Sequence, residues 1–130
     1  MFLDASAIVA IIAREPGYLP ILDRLEQAGQ AISSPIAVWE AAIALSRIGG
    51  QSPVTEANRV GDLLAQIGAK MVPVTEEIGY AAVLAFQRYG KGTGHRAQLN
   101  LGDCFAYAMA RTHDVAILYK GDDFVRTDLA

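Results

Sequence analysis

The chain has a single cysteine, Cys104, in 130 residues, so no disulfide can close within it and the composition fits a reducing compartment. No apolar stretch reaches the about 20 residues that span a bilayer. The opening MFLDASAIVAIIA has no basic lead and carries Asp4 early, unlike a secretory leader. These absences predict a cytoplasmic protein with no membrane partner. Histidine is scarce as well. His95 and His113 stand apart, with no Cys/His spacing of a zinc site. Acid is missing from Ile78 to Gly102, where Arg88, Lys91, His95 and Arg96 fall. The formal net charge of −3 therefore hides an acidic body carrying a basic loop, and the distribution decides what such a surface attracts. With 52% hydrophobic and 19% charged residues the chain is too apolar for disorder. Its length suits one domain, residues 1–130, with one substantial core.

Hydrophobic periodicity divides the chain into alternating short strands and helices. MFLD reads as a buried strand and ASAIVAIIA as an apolar helix behind it. YLPILDRLEQA is helical by the spacing of Leu19, Leu22 and Leu25, and AIS is a second strand. In SPIAVWEAAIALSRIG, Ser34 caps a helix, Pro35 suits its first turn and Gly49 ends it. PVTEANRVGDLLAQIGA is helical despite Gly61, and KMVPV is a strand that Pro73 places at an edge or strand end. TEEIGYAAVLAFQRYG is a helix with Thr75 as its cap and acids in the first turn. Gly90, Gly92 and Gly94 break GKGTGHRAQLN into a loop. LGDCFAYAMARTH is then a helix, VAILYK a strand and GDDF a turn.

Trp39, Phe105 and Cys104 are expected in the core. ASAIVAIIA and the helix from Pro53 to Ala69 carry apolar surface that serves either as core or in part as partner surface. The alternation predicts an α/β fold with a mainly parallel sheet covered on both faces. Ligands in such folds gather beyond the carboxyl ends of the strands, where Asp4, Asp122 and Asp123 fall.

Each carboxylate has a plain reading and a functional one. Asp4 can simply cap the first helix. Glu40 has Ile36, Ala37, Ile43 and Ala44 as its helical neighbours, so it sits either at an exposed helix edge or in a pocket that needs a cation. Asn100 and Asp103 are spaced as a capping box, and GDD is common turn chemistry. Taken together, carboxylates converging on one side of a parallel sheet repel one another and stay partly protonated unless a cation neutralises them. Oxygen ligands alone point to Mg²⁺ or Mn²⁺. Such an ion beside basic groups suits phosphodiester hydrolysis, with Arg88, Lys91, His95 and Arg96 as candidate phosphate contacts.

Four segments, FLDASAIVAIIAREP, SPIAVWEAAIAL, GHRAQLNLGDCFAYAMA and LYKGDDFVRTDL, resemble in order and spacing the motifs of PIN-domain ribonucleases, and among them the VapC toxins of bacterial toxin–antitoxin pairs. The resemblance implies the PIN-domain fold, a central mainly parallel sheet between helical layers. It implies a metal-dependent endoribonuclease acting on structured RNA such as tRNA, a homodimer, and a VapB-type antitoxin as partner. Asp4, Glu40 and Asp103 match the first three acids. Counting two residues past Lys120 favours Asp122 as the fourth, with Asp123 as its substitute or support. Ser6 matches a position near the metal, and Arg96 stands where many relatives have proline. The rival readings are a HAD-like phosphomonoesterase, which needs an acid two residues after Asp4 where this chain has Ser6, and a non-catalytic module whose acids only cap and turn.

Overall fold

A computed structural model describes all 130 residues. Its elements run β1 (Phe2–Leu3), α1 (Ala5–Ile12), α2 (Tyr18–Gln27), β2 (Ile32–Ser33), α3 (Pro35–Gly49), α4 (Pro53–Gln66), β3 (Lys70–Met71), α5 (Glu76–Tyr89), α6 (Leu101–Thr112) and β4 (Ile117–Leu118). The sheet order is β3-β2-β1-β4 and every pairing is parallel, with Phe2 beside both Ile32 and Ile117. The expected α/β architecture is therefore present, and β3 with its following Pro73 lies at an edge.

The period-2 alternation of a strand sends neighbouring side chains to opposite faces, and here it divides the core in two. Phe2 and Ile117 pack with Ile78, Tyr89 and Met109 on the α5–α6 side. Leu3 and Leu118 pack with Ile8, Leu45, Val60 and Leu64 on the α1–α4 side. Phe2, Leu3 and Leu118 are fully buried, each contributing about 1.5–3 kcal/mol of transfer free energy. The strands are short, so this two-sided burial holds the sheet as much as its hydrogen bonds do.

Helix ends follow the local chemistry. Ser34 Oγ accepts from the Ala37 N–H at 3.2 Å and Thr75 Oγ1 from the Ile78 N–H at 3.3 Å. Gly49 is the last residue of α3; the stop is Gly50, at φ +71, a backbone region in which glycine carries no Cβ penalty. Trp39 departs from expectation: it is 64% exposed, whereas Phe105 is partly buried against the core. The inward face of α3 is Ala37, Ala41 and Leu45, spaced by four residues, so Trp39 falls on the opposite side. The apolar residues of α1 are almost all core, with Ala7, Ile8 and Ala10 at 0% exposure. The large exposed apolar residues instead gather on α5 and the start of α6, as Tyr80, Val83, Leu84, Phe86 and Leu101.

Candidate active site

The chain winds outward from β1 to β2 and β3, then returns to the other side of β1 as β4. The winding reverses between β1 and β4, and open α/β sheets bind ligands beyond their carboxyl ends at that reversal. Asp4 leaves β1 at this point. Asp4 caps α1: its Oδ2 accepts the Ser6 N–H at 2.9 Å, and it accepts the Ser6 hydroxyl as well. Ser6 Oγ in turn accepts the Lys120 N–H at 3.0 Å. One hydroxyl thus ties the first acid to the chain leaving β4.

Asp103 enters from the first turn of α6. The capping box is real: Asn100 Oδ1 accepts the Asp103 N–H at 3.0 Å, and Asp103 Oδ2 accepts the Asn100 N–H at 2.8 Å. Glu40 reaches over from the middle of α3, half-buried. Its carboxylate lies against Gly102: a Cβ built there would meet Glu40 Oε2 at 1.8 Å. Any side chain at residue 102 would displace the acid. The plain and functional readings therefore coexist, since Asp4 and Asp103 cap helices whose N-termini aim at one place.

The electrostatics of this place are costly. Burial pushes Glu40 up to about 7, with the charges of Asp4 and Asp103 adding to it. Burial likewise raises Asp103 to about 6 against the Asn100 N–H bond, with Asp123 and Asp4 contributing. Asp4 is raised chiefly by burial, against its bonds from Ser6, and it too feels Asp123. None of the four ion pairs in the chain involves these acids. Of the adjacent pair in GDDF, the charge felt at Asp4 and Asp103 is that of Asp123, while counting along the strand favours Asp122. Both are exposed, and the turn that carries them is pinned by fully buried Phe124. An edge-to-face contact of Tyr119 with Phe124, ring centroids 5.0 Å apart, adds to that anchor.

No set of three His, Cys, Asp or Glu side chains is arranged to grip one ion directly. The coupling among Asp4, Glu40, Asp103 and Asp123 nevertheless extends beyond direct ligation distance. A hard cation that keeps several waters needs no tighter protein cage, and an all-carboxylate donor set fits Mg²⁺ or Mn²⁺. Cys104 is 3% exposed and its thiol is pushed up to about 11 by burial, then by Asp103, so it packs as a small hydrophobe.

The basic segment divides into two parts. Arg88 lies over the Tyr89 ring at 4.8 Å and 3.8 Å from Asp128. His95 meets Tyr89 edge-on, and its Nδ1 accepts the Ala97 N–H at 3.1 Å. These two are engaged in the fold. Lys91 and Arg96 are exposed and enter no ion pair. Three residues at the site escape the sequence reading: Gly102, Glu15 and Lys120. Only Gly102 leaves a signal, since a glycine inside a helix suggests close approach of another group.

The chain as a whole has relatives. The PIN-domain profile matches residues 1–129, and the chain belongs to the PIN-domain family. It is 40% identical to a VapC ribonuclease of Rhizobium meliloti (strain 1021), with 98% of both chains covered. It is 37% identical to ribonuclease VapC42 of Mycobacterium tuberculosis (strain ATCC 25618 / H37Rv), covering 99% of this chain and 96% of that one. The fold is similar to Mycobacterium tuberculosis VapC20, a Sarcin-Ricin loop cleaving toxin, at a TM-score of 0.71 and 16% identity over 95% of this chain and 92% of that one. A toxin–antitoxin complex from Klebsiella pneumoniae gives 0.68 at 15% identity, covering 98% and 92%. At such identities the solved structures speak for the fold alone.

Proposed function

We propose that this chain is a VapC-type endoribonuclease, the toxin of a toxin–antitoxin pair, hydrolysing phosphodiester bonds of structured RNA such as tRNA with a divalent metal. The observation that carries this reading is a group of mutually coupled carboxylates, Asp4 and Asp103 buried and Glu40 half-buried, with no ion-pair partner in the chain, at the sheet reversal of a PIN-domain chain whose relatives are VapC ribonucleases. Asp4, Glu40 and Asp103 would hold Mg²⁺ or Mn²⁺, with Asp123 as the fourth acid and Asp122 beside it. When bound, the ion supplies an activated water and stabilises charge on the phosphoryl oxygens. Ser6 orients Asp4 through its hydroxyl, Asn100 orients Asp103, and Gly102 leaves room for Glu40. Lys91 and Arg96 hold flanking phosphates. The acid that a HAD-like phosphatase needs two residues after Asp4 is absent, because Ser6 there serves as a hydrogen-bond bridge.

The partners follow from the same reading: a VapB-type antitoxin and a second copy of the chain. The homodimer is supported by the exposed large apolar side chains of α5 and the start of α6, namely Tyr80, Val83, Leu84, Phe86 and Leu101. Size-exclusion chromatography with light scattering tests it; a Val83→Asp, Phe86→Asp variant should run as a monomer. The activity itself is tested by incubating purified protein with total cellular RNA. Cleavage that needs Mg²⁺ or Mn²⁺ and stops with chelator supports the reading. Hydrolysis of a phosphomonoester without RNA cleavage would replace it.

A further inference from the structure

A cavity of about 430 Å³ opens beside the acids, with Ser6, Glu15, Glu40, Lys120 and Gly121 among its lining. Its charged lining is acidic except for Lys120. The backbone of Lys120 is fixed, because its N–H donates to Ser6 Oγ and that hydroxyl donates to Asp4. The ammonium is held differently. Lys120 Nζ donates to Glu15 Oε2 at 2.6 Å, and the two side chains are 34% and 31% exposed. An ion pair this open to water adds little to stability and weakens with salt, so its partner is exchangeable. Lys91 and Arg96 do not line this cavity.

A phosphodiester reaching the acids through this cavity passes the carboxylates of Glu15 and Glu40. A metal ion held by the acids would neutralise charge there, but a phosphate lying in the cavity has one protein cation within it, Lys120. We propose that Lys120 contacts a substrate phosphate, leaving Glu15 for the phosphate when RNA binds. This inference rests on the ribonuclease reading above and adds a substrate contact to it. A compact ammonium on a flexible four-carbon stem can make the exchange without backbone movement, and Glu15 returns to water at its exposed edge.

The competing explanation is a strut, in which Lys120 and Glu15 only tie the link between α1 and α2 to the end of β4. Two substitutions separate the cases, because Lys120→Gln and Glu15→Gln break the same ion pair. Initial rates of total-RNA cleavage by the full chain with Mg²⁺ are measured across RNA and salt concentrations, with thermal melting as a control for folding. Lys120→Gln should raise the apparent KM roughly tenfold, the loss of one charge-assisted hydrogen bond, and flatten the salt dependence by about one phosphate contact. Glu15→Gln should leave KM unchanged or lower it, and Lys120→Arg should retain most of the affinity. Equal KM increases in the two Gln variants, or an unchanged KM and salt slope in Lys120→Gln, overturn the inference and leave the ribonuclease reading intact. A wild-type protein that cleaves no RNA with either Mg²⁺ or Mn²⁺ removes both.

Discussion

Two buried acidic environments in this molecule differ in one respect. Glu56 on α4 is 1% exposed, and Arg59 one turn later donates to both its carboxylate oxygens, at 3.1 and 2.9 Å. Asp4 and Asp103 are 6% and 8% exposed, both raise the proton affinity of Glu40, and their own hydrogen bonds come from neighbouring backbone and hydroxyl groups, with no cation. The fold therefore contains a worked solution for burying a carboxylate and does not apply it at the sheet reversal. A charge left uncompensated by the chain is available to something the chain binds. That contrast separates a carboxylate neutralised within its own helix from carboxylates that no ion pair of the chain neutralises.

The largest effect should come from Asp103→Asn. Asn caps about as well as Asp, so the fold should persist within about 1 kcal/mol, while RNA cleavage falls about a hundredfold or more with the loss of charge for the metal. A folded variant cleaving at wild-type rate returns Asp103 to a purely capping role. Gly102→Ala should approach the same loss by a steric route, since its Cβ takes the place of the Glu40 carboxylate. Retained activity and metal affinity in that variant would show that Glu40 can move without consequence.

Removing the cation from the compensated acid should do the reverse. Arg59→Ala leaves Glu56 buried without its partner and should cost about 2 kcal/mol in urea unfolding, discounted because Arg59 itself is half exposed. Cleavage per folded molecule should stay unchanged. Titration sharpens the comparison further. Glu40 at about 7 and Asp103 at about 6 bind protons more tightly folded than unfolded. Their contribution to stability is then present at low pH and lost as pH rises from the ordinary carboxylate range toward 7. Without metal, stability should fall across that window by on the order of 1 kcal/mol after solvent screening, and Glu40→Gln should flatten the fall. Thermal melts with added Mg²⁺ at pH 7 should recover it; identical melts with and without the ion would count against the metal site.

The smallest effect is expected in the basic segment. Lys91→Gln and Arg96→Gln should each weaken RNA binding a few-fold and reduce its salt slope, as loss of one phosphate contact does. Arg88→Gln should instead loosen the C-terminal residues around Asp128, where Tyr107 Oη donates to Oδ1 at 2.7 Å. An equal salt effect at all three positions would show that Arg88 leaves Asp128 for RNA.

The amino-acid sequence by itself determined the alternation of strands and helices, the caps at Ser34, Thr75 and Asn100, the edge position of β3, and which acids fall at strand ends and helix starts. These are properties of nearest neighbours along the chain, where periodicity, proline and capping chemistry act over a few residues. Only the tertiary structure decided that Trp39 faces solvent, that α1 is core, that Arg88 is tied to Asp128, and that Asp123 is the member of its pair felt at Asp4 and Asp103. It also decided that Gly102 makes room for Glu40 and that Lys120 and Glu15 share a cavity with Ser6. Each of these depends on groups that lie far apart along the chain, and on burial, which raises the cost of a charge only once the sheet and its two helical layers have closed around it.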